Sequence, residues 1–325
     1  MDTINWGIIG CGDVTEIKSG PAFNKVPNSK LVAVMRRDAA NAADYAKRHN
    51  VPRWYSDADK LINDPEVNAI YIATPPDSHE AYALAAINAG KPVYVEKPMA
   101  LNYAAAKNMA QAAAAKNIKL VVAHYRREQP LFKKIKQLLN EGAIGKTLLA
   151  RLELYKPPLS KKELTTTHHA WRVDPAIAGG GLFNDLAPHQ LDLMYYFFGQ
   201  VQGITGMATN QCANYTAEDF VAGNILFTNG IAFSGTWCFN AAATTDHCEI
   251  AGTEGSLHFS IFSGNTITLI AKGVTSTFSF DTLQHVQQPM IEKVVQYFSG
   301  NAPNPCPADE GAEVMRMMAE MVRRK

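Results

Sequence analysis

Trp6-Gly7-Ile8-Ile9-Gly10-Cys11-Gly12-Asp13-Val14-Thr15 reads as a short apolar run that stops at a pair of glycines and turns into a polar segment. The run has the length and composition of a buried strand, and glycine lets the backbone turn sharply from its tip into a helix. The same rhythm repeats outward from this point. Further strands are expected at 31–35, 69–72, 93–95 and 120–123, with helical windows at 39–49, 78–89 and 102–117 between them. Ser56 and Asp59 have the spacing of a capping box and place a short helix at 57–62. Such alternation builds βαβ units, so the first part of the chain is expected to be a doubly wound parallel sheet.

After Tyr125 the pattern changes. A helix is expected at 130–141, a strand at 147–155 and a helix with an apolar stripe at 185–198; strands then dominate, at 201–211, 220–227, 231–239, 247–251, 256–259 and 266–270. Helices close the chain at 288–298 and 308–323. Asn229-Gly230 suits a two-residue type I′ hairpin turn. Phe220, Leu226, Phe233 and Trp237 are assigned to one face of that hairpin, and Val221, Ile225 and Phe227 to the other. A sheet apolar on both faces needs cover on both, so a homodimer or homotetramer packed sheet to sheet is expected. The fold class is therefore α/β: a doubly wound domain at 1–124, then an α+β domain at 125–325 with a large, mostly antiparallel open sheet. The second domain would bind substrate and support oligomerisation, with the last helix a candidate to pack back on the first.

Composition narrows the function classes. A chain of 325 residues, 47% apolar and 19% charged, is long enough for two cores and too apolar for long disordered tails. Its formal charge of +1 lacks the positive field that nucleic acid or anionic membranes attract. No apolar stretch is long enough for a membrane helix, and the N-terminus does not read as a signal peptide. The five cysteines are widely spaced without a C-x-x-C pair, which fits reduced thiols and a cytoplasmic location.

Gly10 and Gly12 stand where a bare backbone lets a pyrophosphate approach the start of a helix opened by Asp13 and Val14, the arrangement of a Rossmann dinucleotide site. A plain structural turn is the other reading, and Thr15 occupies the third glycine position of the motif. The acidic residue that binds a ribose 2′-hydroxyl is missing after the second strand, where Arg36 and Arg37 stand instead. Guanidinium groups there would clasp a 2′-phosphate, so NADP(H) is favoured, with NAD(H) and simple solvated charges as the alternatives. Lys97, in Glu96-Lys97-Pro98, follows the strand at 93–95 and would project near the carboxyl end of the sheet, unless it is an ordinary surface ammonium.

Taken with Ala73-Thr74-Pro75-Pro76-Asp77-Ser78-His79 and Gly179-Gly180-Gly181-Leu182-Phe183-Asn184-Asp185-Leu186-Ala187-Pro188-His189, these motifs make the chain resemble the Gfo/Idh/MocA family, the relatives of glucose-fructose oxidoreductase and inositol dehydrogenase. The resemblance runs over essentially the whole chain. It implies that Lys97 is the active-site lysine, that Asp185 and His189 are the family's D-x-x-x-H pair, and that Thr74, Pro75, His79 and Glu96 border the cofactor. It also implies hydride transfer between a nicotinamide and a secondary alcohol or carbonyl of a sugar, cyclitol or related small polyol, in a direction left open.

The chemistry of the residues agrees with that implication. Removing hydride from a carbinol requires its hydroxyl proton to leave, and a histidine is suited to accept it near neutral pH while an ammonium stabilises the developing alkoxide. Asp185 and His189, four apart on a helix, would share one face. The plainer reading makes His189 a core histidine and Asp185 a helix N-cap after Asn184. Tyr125, Arg126, Arg127, Trp171 and Arg172 are candidates for a polyol pocket, with packing and surface roles equally open. His168-His169 has no further ligand at suitable spacing, so no metal is expected. Two rival functions remain: glycoside cleavage through transient oxidation, known among similar proteins, and a non-catalytic nicotinamide-binding sensor.

Overall fold

Apolar runs bounded by turn residues become a parallel sheet in the first part of the chain. The protein is described here as a computed structural model covering residues 3–166 and 170–323. The elements run β1 (Ile4–Ile9), α1 (Asp13–Ile17), β2 (Ser29–Met35), α2 (Ala39–Arg48), β3 (Arg53–Tyr55), α3 (Ala58–Ile62), β4 (Ala69–Ile72), α4 (His79–Asn88), β5 (Val93–Val95), α5 (Tyr103–Ala115) and β6 (Leu120–Val122). Among the described residues the strands stand in the order β3-β2-β1-β4-β5-β6, all parallel. β4, β5 and β6 are buried throughout, which is why they read as continuous apolar runs. The strand order reverses between β1 and β4, the switch point where doubly wound sheets bind ligands.

Two local expectations need correction. β3 is an edge strand without a clear apolar signal in the sequence. The cap of α3 is Asp57, whose carboxylate accepts from Asp59 N–H at 2.9 Å, in place of Ser56. The aspartate sits one residue nearer the helix and closes a shorter local loop.

The chain continues with α6 (Pro130–Asn140), β7 (Thr147–Tyr155), α7 (Lys161–Thr165), α8 (Pro175–Ala178), α9 (Leu182–Phe198), β8 (Val201–Thr209), β9 (Phe220–Phe227), β10 (Ala232–Cys238), β11 (Thr245–Gly252), β12 (Gly255–Phe259), β13 (Thr266–Ala271) and β14 (Val274–Ser279). Among the described residues these strands form a sheet in the order β14-β13-β12-β11-β7-β10-β9-β8, antiparallel except for β7 with β10. α9 packs on it through Phe183 against Trp237 (ring centroids 5.0 Å apart) and Phe198 against Phe227 (5.3 Å), and α6 through Phe132 against Phe259 (6.4 Å).

The hairpin overturns the assigned faces. Its loop is Thr228-Asn229-Gly230, closed by Phe227 N–H to Ile231 O at 2.9 Å, with only Gly230 at positive φ (+83°). That is a three-residue loop, not a two-residue type I′ turn. The extra residue shifts the register by one, so Phe233 pairs with Ile225 and Trp237 with Val221. All four are buried under the helices, which leaves Phe220 and Leu226 on the other face.

After β14 come α10 (Gln288–Phe298) and α11 (Ala308–Val322). The chain divides into one unit of Met1–Arg126 with Leu283–Met315 and another of Arg127–Thr282 with Arg316–Lys325. Placing all of 125–325 in a second domain therefore misses the segment around α10. That segment is held in the first unit by Phe298 against Trp6 (5.5 Å) and by Lys119 Nζ, which caps the end of α10 at Tyr297 O and Phe298 O (2.8 and 2.9 Å). No helix among the described residues is long and apolar enough to cross a membrane.

Candidate active site

At the tip of β1 the backbone swings through Gly10 (φ +93°), and the Gly10 and Cys11 N–H groups both reach Met35 O at the end of β2 (2.9 and 3.2 Å). A Cβ on Gly10 would lie 2.7 Å from Thr74 Cγ2 and 2.8 Å from Thr74 N, so only glycine lets this turn lie against the end of β4. A Cβ on Gly12 would meet nothing nearer than Gly10 O at 4.0 Å, so its backbone stands clear for a ligand. This bare turn beside the β1/β4 switch point fits a dinucleotide pyrophosphate. Asp13 and Val14 open α1, which is only five residues long. Thr15 needs no replacement by glycine: it is buried, its Oγ1–H donates to Gly12 O at 2.8 Å, and its carbonyl accepts from Tyr45 O–H at 2.8 Å.

Arg36 and Arg37 follow β2 directly and are exposed. The Arg36 Nη1–H group reaches Cys11 O at 3.5 Å, so a guanidinium lies beside the glycine turn where an acidic residue is absent.

Beyond β4, Thr74 and Pro75 lead into α4, and the His79 ring is fully buried with Nε2 facing Thr74 O (2.8 Å) and Nδ1 facing Pro98 O (3.0 Å). Burial pushes this imidazole below the ordinary histidine range, and the carbonyls pull the other way. With both nitrogens facing carbonyls of its own unit, His79 fastens the Thr74 loop to the turn after β5. Glu96 is also buried, its carboxylate accepting from Tyr71 O–H (2.6 Å), Gln287 Nε2–H (2.6 Å) and Lys97 N–H (3.1 Å). Lys97 is half-buried and precedes a cis Pro98. Tyr125 is buried with the Arg126 guanidinium over its ring at 5.6 Å.

In the second unit α9 begins at Leu182 with Gly181 as N-cap, so Asp185 lies inside the first turns and is not the cap. Asp185 accepts an ion pair from Arg172 at 3.3 Å, and Arg172 stacks on Trp171 at 4.4 Å. These three predicted residues are thus brought together. His189, 5% exposed, lies one turn further along with its ring edge-to-face with Phe262 at 5.6 Å. Pro188, between them, has no N–H, which frees the Asn184 carbonyl from its helical hydrogen bond. Arg127 is 3% exposed and paired with Asp192 (1%) at 2.6 Å, with the Tyr196 ring 5.5 Å from its guanidinium carbon.

Two supports of these residues, one in each unit, escaped the sequence reading. Phe262 lies in a turn pinned by Asp246, whose carboxylate accepts from the N–H groups of Ile261, Phe262 and Ser263 at 3.1, 2.7 and 2.7 Å. Gln287 carries no motif. The Ser, Gly and Asn residues at 260–265 mark the turn that carries Phe262, but nothing local points to Asp246 or to Gln287. His168 and His169 lie outside the described residues, among which no cluster of three potential ligands is placed to hold a metal ion.

Residues 4–124 match the oxidoreductase family with an NAD-binding Rossmann fold, and residues 132–258 match the GFO/IDH/MocA C-terminal domain. Oxidoreductase P35 of Formosa agariphila is 48% identical over 97% of this chain and 97% of its own. The chain belongs to the Gfo/Idh/MocA oxidoreductase family. 1,5-Anhydro-D-fructose reductase of Ensifer adhaerens is 27% identical over 78% of this chain and 74% of its own. The fold is shared with levoglucosan dehydrogenase, solved with NADH and levoglucosan, at a TM-score of 0.90 and 23% identity, covering 98% of this chain and 96% of that one.

Proposed function

We propose that the protein is an NADP(H)-preferring dehydrogenase or reductase that acts on a secondary alcohol, or the matching carbonyl, of a sugar, cyclitol or related small polyol. The observation that carries this reading is the intact set of Lys97 after β5, beside the β1/β4 switch point, with Asp185 and His189 a helical turn apart on α9. The names of the anhydrofructose and levoglucosan enzymes support the substrate class.

The glycine turn of Gly10, Gly12, Asp13 and Val14 would hold the pyrophosphate, Thr74, Pro75 and His79 would border the nicotinamide end, and Arg36 with Arg37 would clasp a 2′-phosphate. The bound nicotinamide supplies the hydride acceptor or donor. The chain's own work would be on the proton: either Lys97 or His189 would take it from the carbinol hydroxyl, and an ammonium or imidazolium would stabilise alkoxide charge on that oxygen. The Asp185–Arg172 pair, with Trp171, orients neighbouring hydroxyls.

The test is nicotinamide absorbance with NADP and NAD against aldoses, inositols, anhydro sugars and dihydrodiols, in both directions. Turnover with a member of the panel and tighter binding of NADPH than NADH are expected. Silence across the panel despite NADPH binding overturns the dehydrogenase reading, and a tenfold preference for NADH overturns the role of the arginines.

The open face of the large sheet is the surface proposed to pair with a second copy. Leu226 (42% exposed) and Met207 (62%) stand on it. A groove of about 600 Å³ there is lined by Leu149, Arg151, Thr205, Asn224, Leu226 and Ser234. Small residues at its centre allow a flat partner sheet to approach. Light scattering at micromolar concentration should give a dimer or tetramer, with Leu226→Lys shifting it toward monomer; a monomeric wild type defeats this proposal.

A further inference from the structure

Gln287 is 1% exposed and sits 191 residues downstream of the carboxylate it touches. Its Nε2–H donates to Glu96 Oε1 at 2.6 Å, its Oε1 accepts from Tyr94 O–H at 3.1 Å, and its own N–H donates to Lys18 O at 3.1 Å. The residues just before it tighten the same strap. His285 Nδ1–H donates to Ile17 O at 2.6 Å, and Lys25 Nζ donates to His285 Nε2 at 2.7 Å. One short stretch therefore ties the end of α1, the helix after the glycine turn, to the carboxylate that precedes Lys97.

An amide suits the chemistry at this position. Burial and then the Glu96 charge push the phenols of Tyr71 and Tyr94 well above the ordinary tyrosine range, so both remain donors. The group between Tyr94 and Glu96 must accept on one arm and donate on the other, which glutamine does and neither leucine nor an ionised glutamate can. Glu96 Oε1 is then held by Tyr71 and Gln287 together, while Oε2 receives the N–H of Lys97 itself.

We propose that Gln287 is a positioning residue for Lys97, acting through Glu96: it fixes the carboxylate that anchors the lysine's backbone and keeps that turn in register with the dinucleotide-binding helix. The inference rests on the reading of Lys97 as a proton-handling group, and its test does not depend on finding the substrate. Competitive trace labelling with acetic anhydride, followed across pH by peptide mass spectrometry, reports the reactivity of each lysine separately.

In Gln287→Leu the Lys97 labelling profile should shift by about half a pH unit or more, or its rate change about threefold or more, while exposed Lys30 is unaffected. The affinity for NADPH should stay within about threefold, because the glycine turn is untouched. Tyr94→Phe, which removes only the hydroxyl that orients the Gln287 amide, is the gentler variant should leucine unfold the core. It should move Lys97 in the same sense by less. Lys97 profiles superimposable on wild type in both folded variants overturn the proposal. Full turnover by Lys97→Met instead removes the proton role of Lys97, leaving the labelling result to judge Gln287 on its own.

Discussion

Beside Lys97 the Glu96 carboxylate is held by hydrogen bonds from Tyr71, Gln287 and the Lys97 backbone N–H, whereas on α9 His189 packs against the Phe262 ring and Asp192, further along the helix, forms a buried ion pair with Arg127. Hydrogen bonds to a buried carboxylate are directional and hold one orientation. Ring packing and the Arg127–Asp192 pair seat a whole helix and carry its side chains with it. The difference teaches that the turn bearing Lys97 is set by directional bonds within the first unit and the side chains of α9 by packing within the second, so damage should propagate differently in each.

The largest effect should come from breaking the ion pair. Asp192→Asn removes the buried carboxylate that Arg127 meets at 2.6 Å, and the expected loss is about 3–5 kcal/mol in urea unfolding. A loss below about 1 kcal/mol would mean that ring packing alone seats α9. Next comes Lys97→Met, expected to lower turnover about a hundredfold or more with NADPH affinity nearly unchanged. Stability should barely change, and this contrast with Asp192→Asn is what separates the two regions.

Trp237→Phe removes the N–H that donates to Gln190 Oε1 at 2.6 Å, both residues being fully buried. It should cost about 2 kcal/mol by denaturation, from an unsatisfied acceptor plus a small cavity. Smallest is the acid response of Glu16. Its hydrogen bond from Arg48 outweighs partial burial and holds the carboxyl at about 2, against an ordinary value of 4.5. A lowered value stabilises the fold above pH 4.5 and loses that contribution as pH falls toward 2. Glu16→Gln should flatten this part of the curve of melting temperature against pH, by only about 2 °C because the pair is solvent-screened.

Much of the first unit is legible in sequence because its signals are local. β1, β4 and β5 are apolar runs ended by turn residues, and Gly10 announces its positive φ through its identity. The helix holding Asp185 and His189 was legible too, although the Asn184-Asp185 pair imitated a cap and hid the true start at Leu182. The hairpin faces were not legible, since Asn229-Gly230 fits a two-residue or a three-residue loop and one residue decides which rings are buried.

The sequence by itself determined the doubly wound sheet, the glycine turn, the missing acid after β2 and the residues proposed to handle the proton. All of these depend on residue identity and on neighbours within a few positions. Only the tertiary structure decided that Arg127 is spent on Asp192, that Asp246 pins the turn bearing Phe262, and that Gln287 returns from the far end of the chain to hold Glu96. Those contacts join residues 16 to 191 positions apart, and their energy exists only once burial has removed water from both partners.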